Sequence, residues 1–123
     1  MRLTINAEAM ARINEIRTSN DKLILDLDDG IGAFSKLLME NGLKYQLLVV
    51  RADLVPAGFE KKLDSTVGPI FFNRDTEWYL DSEMRIDFKA NTDSYRLWST
   101  NGLLEPQLPI KRMVPIETAE MEF

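Results

Sequence analysis

The chain lacks two residue types on which much protein chemistry depends, because its 123 residues include no cysteine and no histidine. Thiolates and imidazoles hold most structural zinc ions and iron–sulfur clusters, and imidazole is the usual base beside a nucleophilic side chain. Disulfide bonds are excluded for the same reason. The composition therefore argues against most metalloprotein and hydrolase chemistry, and we expect a non-enzymatic protein without a metal or cofactor of its own.

Long apolar runs are also missing. The densest apolar stretch, residues 47–50, is far shorter than the roughly 20 residues of a membrane-spanning helix. The first four residues include Arg2 and Thr4 and lack the apolar centre of a secretory signal peptide. We therefore expect no membrane association and a cytoplasmic protein.

Basic clusters are missing too. The net charge is −5, and three glutamates place much of it in residues 114–123. Two adjacent basic pairs, at 61–62 and 111–112, are too small to track a phosphate backbone. Nucleic acid is not an expected partner.

What the chain does contain is enough for one domain. Hydrophobic residues make up 45% and charged residues 28% of the sequence, which are ordinary values for a globular protein of this length. We assign residues 1–113 to a single domain. Residues 114–123 include Pro115 and offer little apolar surface to bury, so we expect an acidic, mobile tail.

The N-terminal pattern changes from a strand to a helix. Residues 2–5 predict a short strand, and residues 7–17 predict a helix whose apolar stripe includes Ala9 and Ile13. Asn6 has the short polar side chain that caps helix N-termini. We expect this stripe to pack in the core.

Apolar and polar residues then alternate, which predicts strands. The alternation runs over residues 22–28, and residues 43–50 predict a longer strand. Between them, residues 34–40 predict about two helical turns that end at Asn41 and Gly42.

The second half consists of short apolar segments separated by polar turns. These segments are residues 67–72, 77–80, 84–88 and 95–98. Such spacing favours an antiparallel meander folded into a β-sandwich, so we predict a mainly β (α+β) fold with the N-terminal helix packed on it. Three prolines after Glu105 argue against further regular structure.

The acidic, glycine-rich segment 26–35 is the candidate ligand or partner surface. Its acidic, glycine and hydroxyl residues are Asp26, Asp28, Asp29, Gly30, Gly32 and Ser35. Asp26 and Asp28 share one strand face about 7 Å apart, so an oxygen-ligand cation site is conceivable there. The interpretation we favour is a solvated acidic turn that leaves a strand.

Two known ligand motifs fail in this segment. An EF-hand loop that began at Asp26 would need glycine and glutamate where Ile31 and Leu37 stand. A dinucleotide fingerprint would need a glycine at Ser35, and the carboxylate of Asp28 would oppose a pyrophosphate. Cation and nucleotide binding therefore remain the less favoured alternatives.

Four aromatic residues in the second half could either line a cleft or pack the sheet. They are Trp78, Tyr79, Tyr95 and Trp98. Aromatic residues on short strands more often pack against the sheet and core, and we expect the same here.

Six segments in chain order form a broader pattern: residues 2–5, 25–32, 45–50, 79–88, 94–99 and 101–106. This pattern resembles the HesB-like, A-type iron–sulfur carrier family over residues 1–112. The resemblance implies a small β-sandwich-like domain, often oligomeric, which in typical members carries iron or an iron–sulfur cluster on cysteine thiolates.

The resemblance also implies where those thiolates come from: the region after the early acidic strand and a region near the C-terminus. In this chain the first region offers Ile31, Ala33 and Met39, and the second, residues 101–108, offers no thiolate either. No ligand position can be carried over, because carboxylates are poor replacements for thiolates on a sulfide-bridged cluster.

We therefore expect a non-enzymatic binding or interaction domain related to iron–sulfur cluster biogenesis, which ligates no cluster itself. Iron–sulfur assembly proteins are the expected partners, and the resemblance makes a homo-oligomer an open alternative to a monomer. The rival interpretation is a small enzyme, or a nucleotide- or divalent-cation-binding protein, that uses the acidic segment 26–35.

Overall fold

The computed structural model describes residues 1–28 and 44–114, and within them the fold is mainly β with one α-helix. The elements in chain order are β1 (Arg2–Ile5), α1 (Ala7–Ile16), β2 (Asp21–Asp28), β3 (Lys44–Arg51), β4 (Lys61–Ser65), β5 (Ile70–Phe72), β6 (Glu83–Lys89), β7 (Ser94–Ser99), β8 (Gly102–Glu105) and β9 (Ile110–Arg112). Short 3-10 helices join some of them at Ala52–Leu54, Arg74–Tyr79 and Ala90–Thr92. The helix predicted at residues 34–40 and the predicted tail from residue 115 onward lie outside the described residues.

Helix α1 begins where the local chemistry predicts. The side-chain Oδ1 of Asn6 accepts a hydrogen bond from the backbone N–H of Ala9 at 3.0 Å, which satisfies a donor that the first helical turn leaves free. Ala9 and Ile13 are fully buried. The predicted strand and helix are both confirmed. Among the described residues, no helix is long and apolar enough to cross a membrane.

The strands of the described residues form one mixed sheet in the order β8-β7-β6-β1-β4-β5-β2-β3-β9. Strand β1 is parallel to both of its neighbours, β4 and β6, and the pairs β2–β5 and β3–β9 are parallel as well. The mainly β class with one helix is confirmed, but the expected antiparallel sandwich is replaced by a curled mixed sheet. Apolar alternation fixes which face of a strand is buried, whereas it carries no information on which strand lies alongside.

The sheet curls so that its two ends approach each other. Helix α1 packs against β6 and β9, which lie far apart in the strand order. The guanidinium Nε of Arg12 donates to the carbonyl oxygen of Ile110 at 3.3 Å. At another point, the N–H of Tyr45 in β3 donates to the carboxylate of Glu105 in β8 at 3.0 Å. The curl therefore closes around the helix and the inner face of the sheet.

Among the described residues, two apolar clusters hold the fold together. The inner face and α1 form the main cluster, whose largest fully buried members include Leu3, Ile13, Leu25, Leu47, Ile70, Ile86 and Leu97. A smaller cluster covers the outer face of β2 and β3 and consists of Ile24, Leu48, Val50, Phe59 and Met113. Because both faces of β3 are covered, residues 45–50 are buried without interruption, which explains the dense apolar run in the sequence.

Two further expectations fail for local reasons. The sequence pattern places residues 77–80 in the strand meander, but most of them complete the 3-10 helix Arg74–Tyr79. Asn73 favours this helix because its Oδ1 accepts from the N–H of Asp75 at 2.8 Å. Regular structure also continues after the prolines, since Ile110–Arg112 forms β9 parallel to β3.

Candidate functional site

The chain crosses between the two ends of the sheet beside the first residues of β3. Residues 106–109 connect β8 to β9 and are held on both sides. The N–H of Leu47 donates to the carbonyl oxygen of Pro109 at 2.9 Å, and the N–H of Leu108 donates to the carbonyl oxygen of Tyr95 at 2.8 Å. The position of this connection is therefore fixed by backbone hydrogen bonds to β3 and to β7.

The end of the acidic strand lies at the same place. Asp28, the last residue of β2, pairs in register with Lys44, the first residue of β3. The segment 29–43 thus leaves and re-enters the described chain here. The structure brings Lys44, at the border of this segment, next to Glu105 and Gln107. These residues belong to the second of the two regions that the family resemblance implies.

Glu105 is the buried carboxylate at this meeting point, and its side chain is 7% exposed. Its Oε1 accepts from the N–H of Tyr45 at 3.0 Å, and its Oε2 accepts from the N–H of Gln107 at 3.3 Å and from Nζ of Lys44 at 3.3 Å. The Lys44 ammonium also donates to the carbonyl oxygen of Gln107 at 3.1 Å. We call Lys44, Tyr45, Glu105 and Gln107 the Glu105 junction.

The junction satisfies its own charges. A buried carboxylate is costly unless it is hydrogen-bonded and paired, and here both oxygens accept from protein donors. The Lys44 side chain is 40% exposed, so its charge keeps contact with water. A cation that bound to Glu105 would have to compete with the Lys44 ammonium.

A phenol lies beside the junction and links it to the segment before β6. The Tyr45 hydroxyl donates to the carbonyl oxygen of Tyr79 at 2.8 Å. Burial raises the pKa of Tyr45, and the charge of Glu105 and the neighbouring Tyr79 raise it further. Tyr45 therefore stays protonated at neutral pH and keeps this hydrogen bond.

The residues of the junction do not fit an iron–sulfur cluster. Cluster iron is held by thiolates or, at some sites, by imidazoles, and the sequence contains neither cysteine nor histidine. Within residues 1–28 and 44–114, no group of three or more acidic side chains is placed to hold a metal ion. The meeting point of the two regions is occupied instead by an ion pair and backbone hydrogen bonds.

The residues predicted for the acidic segment are only partly described. Asp26 lies within β2 and is 6% exposed, and its Oδ2 accepts from Nε2 of Gln46 at 2.8 Å. Asp28 ends the same strand. The other candidates lie outside the described residues: Asp29, Gly30, Gly32 and Ser35. Asp26 therefore contacts protein more than solvent, and a ligand role for the segment stays a prediction.

Sequence reasoning missed the Glu105 junction. Glu105 lies between an apolar pair and a proline, and nothing in that local pattern predicts burial. Its partner Lys44 is 61 residues away in the sequence. Only the curl of the sheet, which depends on strand pairing, brings the two side chains together.

The aromatic residues divide into two kinds. Trp78 is 89% exposed and Tyr79 is 44% exposed, so the expected packing is wrong for both. Trp98 is half-buried as expected, with the guanidinium groups of Arg85 and Arg96 over its ring at 4.8 and 5.2 Å. Trp78 is therefore the most exposed aromatic side chain of the described residues.

Comparisons with known proteins agree with this fold. The family profile described as iron-sulphur cluster biosynthesis matches residues 1–112. The crystal structure of a candidate Fe–S biosynthesis protein from Lactobacillus salivarius is 29% identical, with a TM-score of 0.80 over 91% of this chain and 98% of that chain.

A second crystal structure, of a candidate Fe–S biosynthesis protein from Lactobacillus acidophilus, is 21% identical with a TM-score of 0.64. It covers 91% of this chain and 90% of that chain, and at this identity it supports the fold alone. A search of curated proteins gives no match.

Proposed function

Because this chain belongs to the iron–sulphur cluster biosynthesis family, we propose that it acts as a non-enzymatic protein-binding domain and does not itself carry a cluster. The family membership indicates a role in iron–sulphur cluster biosynthesis, and the composition argues against ligation of a cluster by this chain. A chain without thiolates or imidazoles can still contribute by binding a protein of the assembly machinery.

The observation that carries the proposal is the Glu105 junction. In typical members, as the family resemblance implies, thiolates come from the region after the acidic strand and from near the C-terminus. In this chain the border of the first region, Lys44, and a residue of the second, Glu105, form an ion pair at 3.3 Å. The ion pair and the hydrogen bonds beside it join the start of β3, which directly follows the first region, to the second region.

The junction also supports binding because it fixes the shape of the surface around it. The connection 106–109 and the start of β3 are held by hydrogen bonds that need no added group. A preformed surface loses less conformational entropy on association than a flexible one. The proposal includes the cytoplasmic location and the iron–sulfur assembly partners expected from the sequence.

Affinity capture tests the proposal. The purified chain, immobilised through one terminus, should retain an iron–sulfur assembly protein from a lysate of the source organism, identified by quantitative mass spectrometry. An unrelated immobilised domain of similar size and net charge is the control. Failure to enrich any such protein over the control would contradict the proposal.

A further inference from the structure

One aromatic side chain stands almost fully in solvent. Trp78 is 89% exposed, whereas the other exposed large hydrophobic residues of the described chain range from 42% to 44%. Single exposed apolar residues are common on protein surfaces, but tryptophan and tyrosine are among the residue types enriched at the energetic centre of protein interfaces. Its neighbour Tyr79 is also exposed, so the two rings form one aromatic corner, which we define as Trp78 and Tyr79.

The aromatic corner is presented on a fixed segment. At the start of the 3-10 helix, Asn73 caps the N–H of Asp75, and its carbonyl oxygen accepts from the Thr76 hydroxyl, both at 2.8 Å. At the end, the Tyr79 carbonyl oxygen accepts from the buried Tyr45 hydroxyl at 2.8 Å. Leu80 then packs against the main core. The backbone is therefore fixed on both sides of Trp78, and this keeps the indole side chain in solvent.

The charge around the corner is negative. Residues 74–83 contain four carboxylates and one arginine. Asp75 is exposed, and within the described chain its carboxylate makes no hydrogen bond or ion pair. Glu77 has a long ion pair with Lys61, at 3.7 Å, in which both side chains are about half exposed. A cation that approached the corner would meet the carboxylate of Asp75, which has no partner among the described residues, and the weakly paired carboxylate of Glu77.

The two tryptophans of the chain differ in how their rings are used. Trp98 already has two guanidinium groups over its ring, and one of them, Arg96, is also paired with Asp87 at 2.7 Å. No lysine or arginine of the described residues lies over the ring of Trp78. An indole face is the most favourable aromatic surface for a cation. The ring of Trp78 is thus available for the interaction that Trp98 makes within the fold.

From these observations we infer that the aromatic corner, with Asp75 and Glu77, is the docking surface for a lysine- or arginine-bearing segment of a partner protein. A cationic side chain over the Trp78 ring would gain a cation–π contact, and its neighbours would pair with the two carboxylates. This inference rests on the proposed function and names the partner chemistry of the same protein. The negative surroundings disfavour an acidic segment or an anionic membrane, and the net charge of −5 opposes a second copy of this chain.

A peptide selection tests the inference even before the partner protein is identified. A random dodecapeptide phage library would be panned on the wild-type chain, and the enriched peptides would be synthesised with a fluorescent label for anisotropy titration. We expect enriched peptides to carry a net positive charge. Their affinity should fall at least tenfold for Trp78→Ala and two- to fivefold for Asp75→Asn, with an intermediate loss for Trp78→Phe. Affinity should also weaken between 50 and 300 mM salt.

Matched controls distinguish binding at the aromatic corner from non-specific binding to apolar surface or to negative charge. Leu103→Ala removes another exposed apolar side chain, on β8, and Asp93→Asn removes one exposed carboxylate beyond the far end of β6. Both should bind the peptides as wild type does. Trp78→Ala should keep the thermal unfolding midpoint of wild type, since the side chain is 89% exposed. No enrichment, enrichment of neutral or acidic peptides, or equal binding by Trp78→Ala would overturn the inference.

The capture and peptide experiments together distinguish failure of this inference from failure of the proposed function. If the wild-type chain and Trp78→Ala captured the same iron–sulfur assembly protein equally, the proposed function would stand and the corner would be overturned as its surface. If no assembly protein were captured while basic peptides bound through Trp78, the corner would stand and the proposed function would fail. Sedimentation velocity on wild type and Trp78→Ala tests whether the corner binds a second copy of this chain. A wild-type dimer that is lost in Trp78→Ala would overturn the inference of a basic partner segment.

Discussion

Replacing Glu105 with alanine should destabilise the fold by about 2–4 kcal/mol, which would make the Glu105 junction a main support of the crossing connection. The substitution leaves the buried N–H of Tyr45 without its acceptor, and an unsatisfied buried donor costs about 1–3 kcal/mol. The N–H of Gln107 counts for less, because Gln107 is exposed. Lys44 adds at most about 1 kcal/mol, since its side chain is 40% exposed and the pair is partly in water.

The remaining variants of the set isolate the ion pair. Glu105→Gln should cost about 1–2 kcal/mol and Lys44→Met about 1 kcal/mol, and their double-mutant cycle should give a coupling energy of about 0.5–1 kcal/mol. Urea denaturation at pH 7, followed by circular dichroism, measures the free energy of unfolding of the wild type and of each variant. Lys89→Met, at an exposed lysine that ends β6, is the control and should change stability by less than about 0.5 kcal/mol. A coupling energy of zero, or a Glu105→Ala variant as stable as wild type, would refute the reasoning.

Four other predictions follow from the structure and the sequence. A hydrogen bond from Arg112 lowers the pKa of Asp21 from 3.8 to about 2. Because the pKa is lower in the folded state, this pair stabilises the fold above pH 4, and the contribution is lost as the pH falls from about 4 to 2. Since the Arg112 side chain is 45% exposed, solvent screening limits the contribution to about 1 kcal/mol. Acid unfolding curves of Asp21→Asn should lack that component, and an unchanged curve would count against the pairing. Met113 is 9% exposed in the outer cluster, so Met113→Ala should cost about 2 kcal/mol in urea denaturation, while removal of residues 115–123 should cost less than about 1 kcal/mol. Titration with ATP, NAD or calcium should give no saturable rise in melting temperature, and a saturating rise abolished by Gly32→Val would favour the rival interpretation of the acidic segment.

Local chemistry is enough to predict the elements that depend on neighbours in the sequence. The Asn6 cap and the buried Ala9 and Ile13 define α1 within ten residues of chain. The alternation around Leu25 likewise predicts β2. The resemblance adds the family, which the matched profile over residues 1–112 confirms, whereas the sandwich that it implied is replaced by the curled mixed sheet.

Pairing and burial over long separations could not be predicted in the same way. Strand β4 has one fully buried apolar residue, Leu63, so its pattern is too weak to indicate a strand. The parallel placement of β9 depends on a crossing of the whole sheet, and so does the burial of Glu105 beside Lys44. The exposure of Trp78 follows from the 3-10 helix that Asn73 caps, where a strand would have buried one of the two aromatic rings.

Anaerobic reconstitution of the purified chain with ferrous iron and sulfide tests the central claim most directly. The chain must carry no polyhistidine tag, because added imidazoles would supply the ligands that the sequence lacks. A cysteine-ligated ferredoxin reconstituted in parallel is the positive control. After desalting, iron content and visible absorption should show no stoichiometric cluster on this chain. One stable cluster per monomer or per dimer would contradict the account.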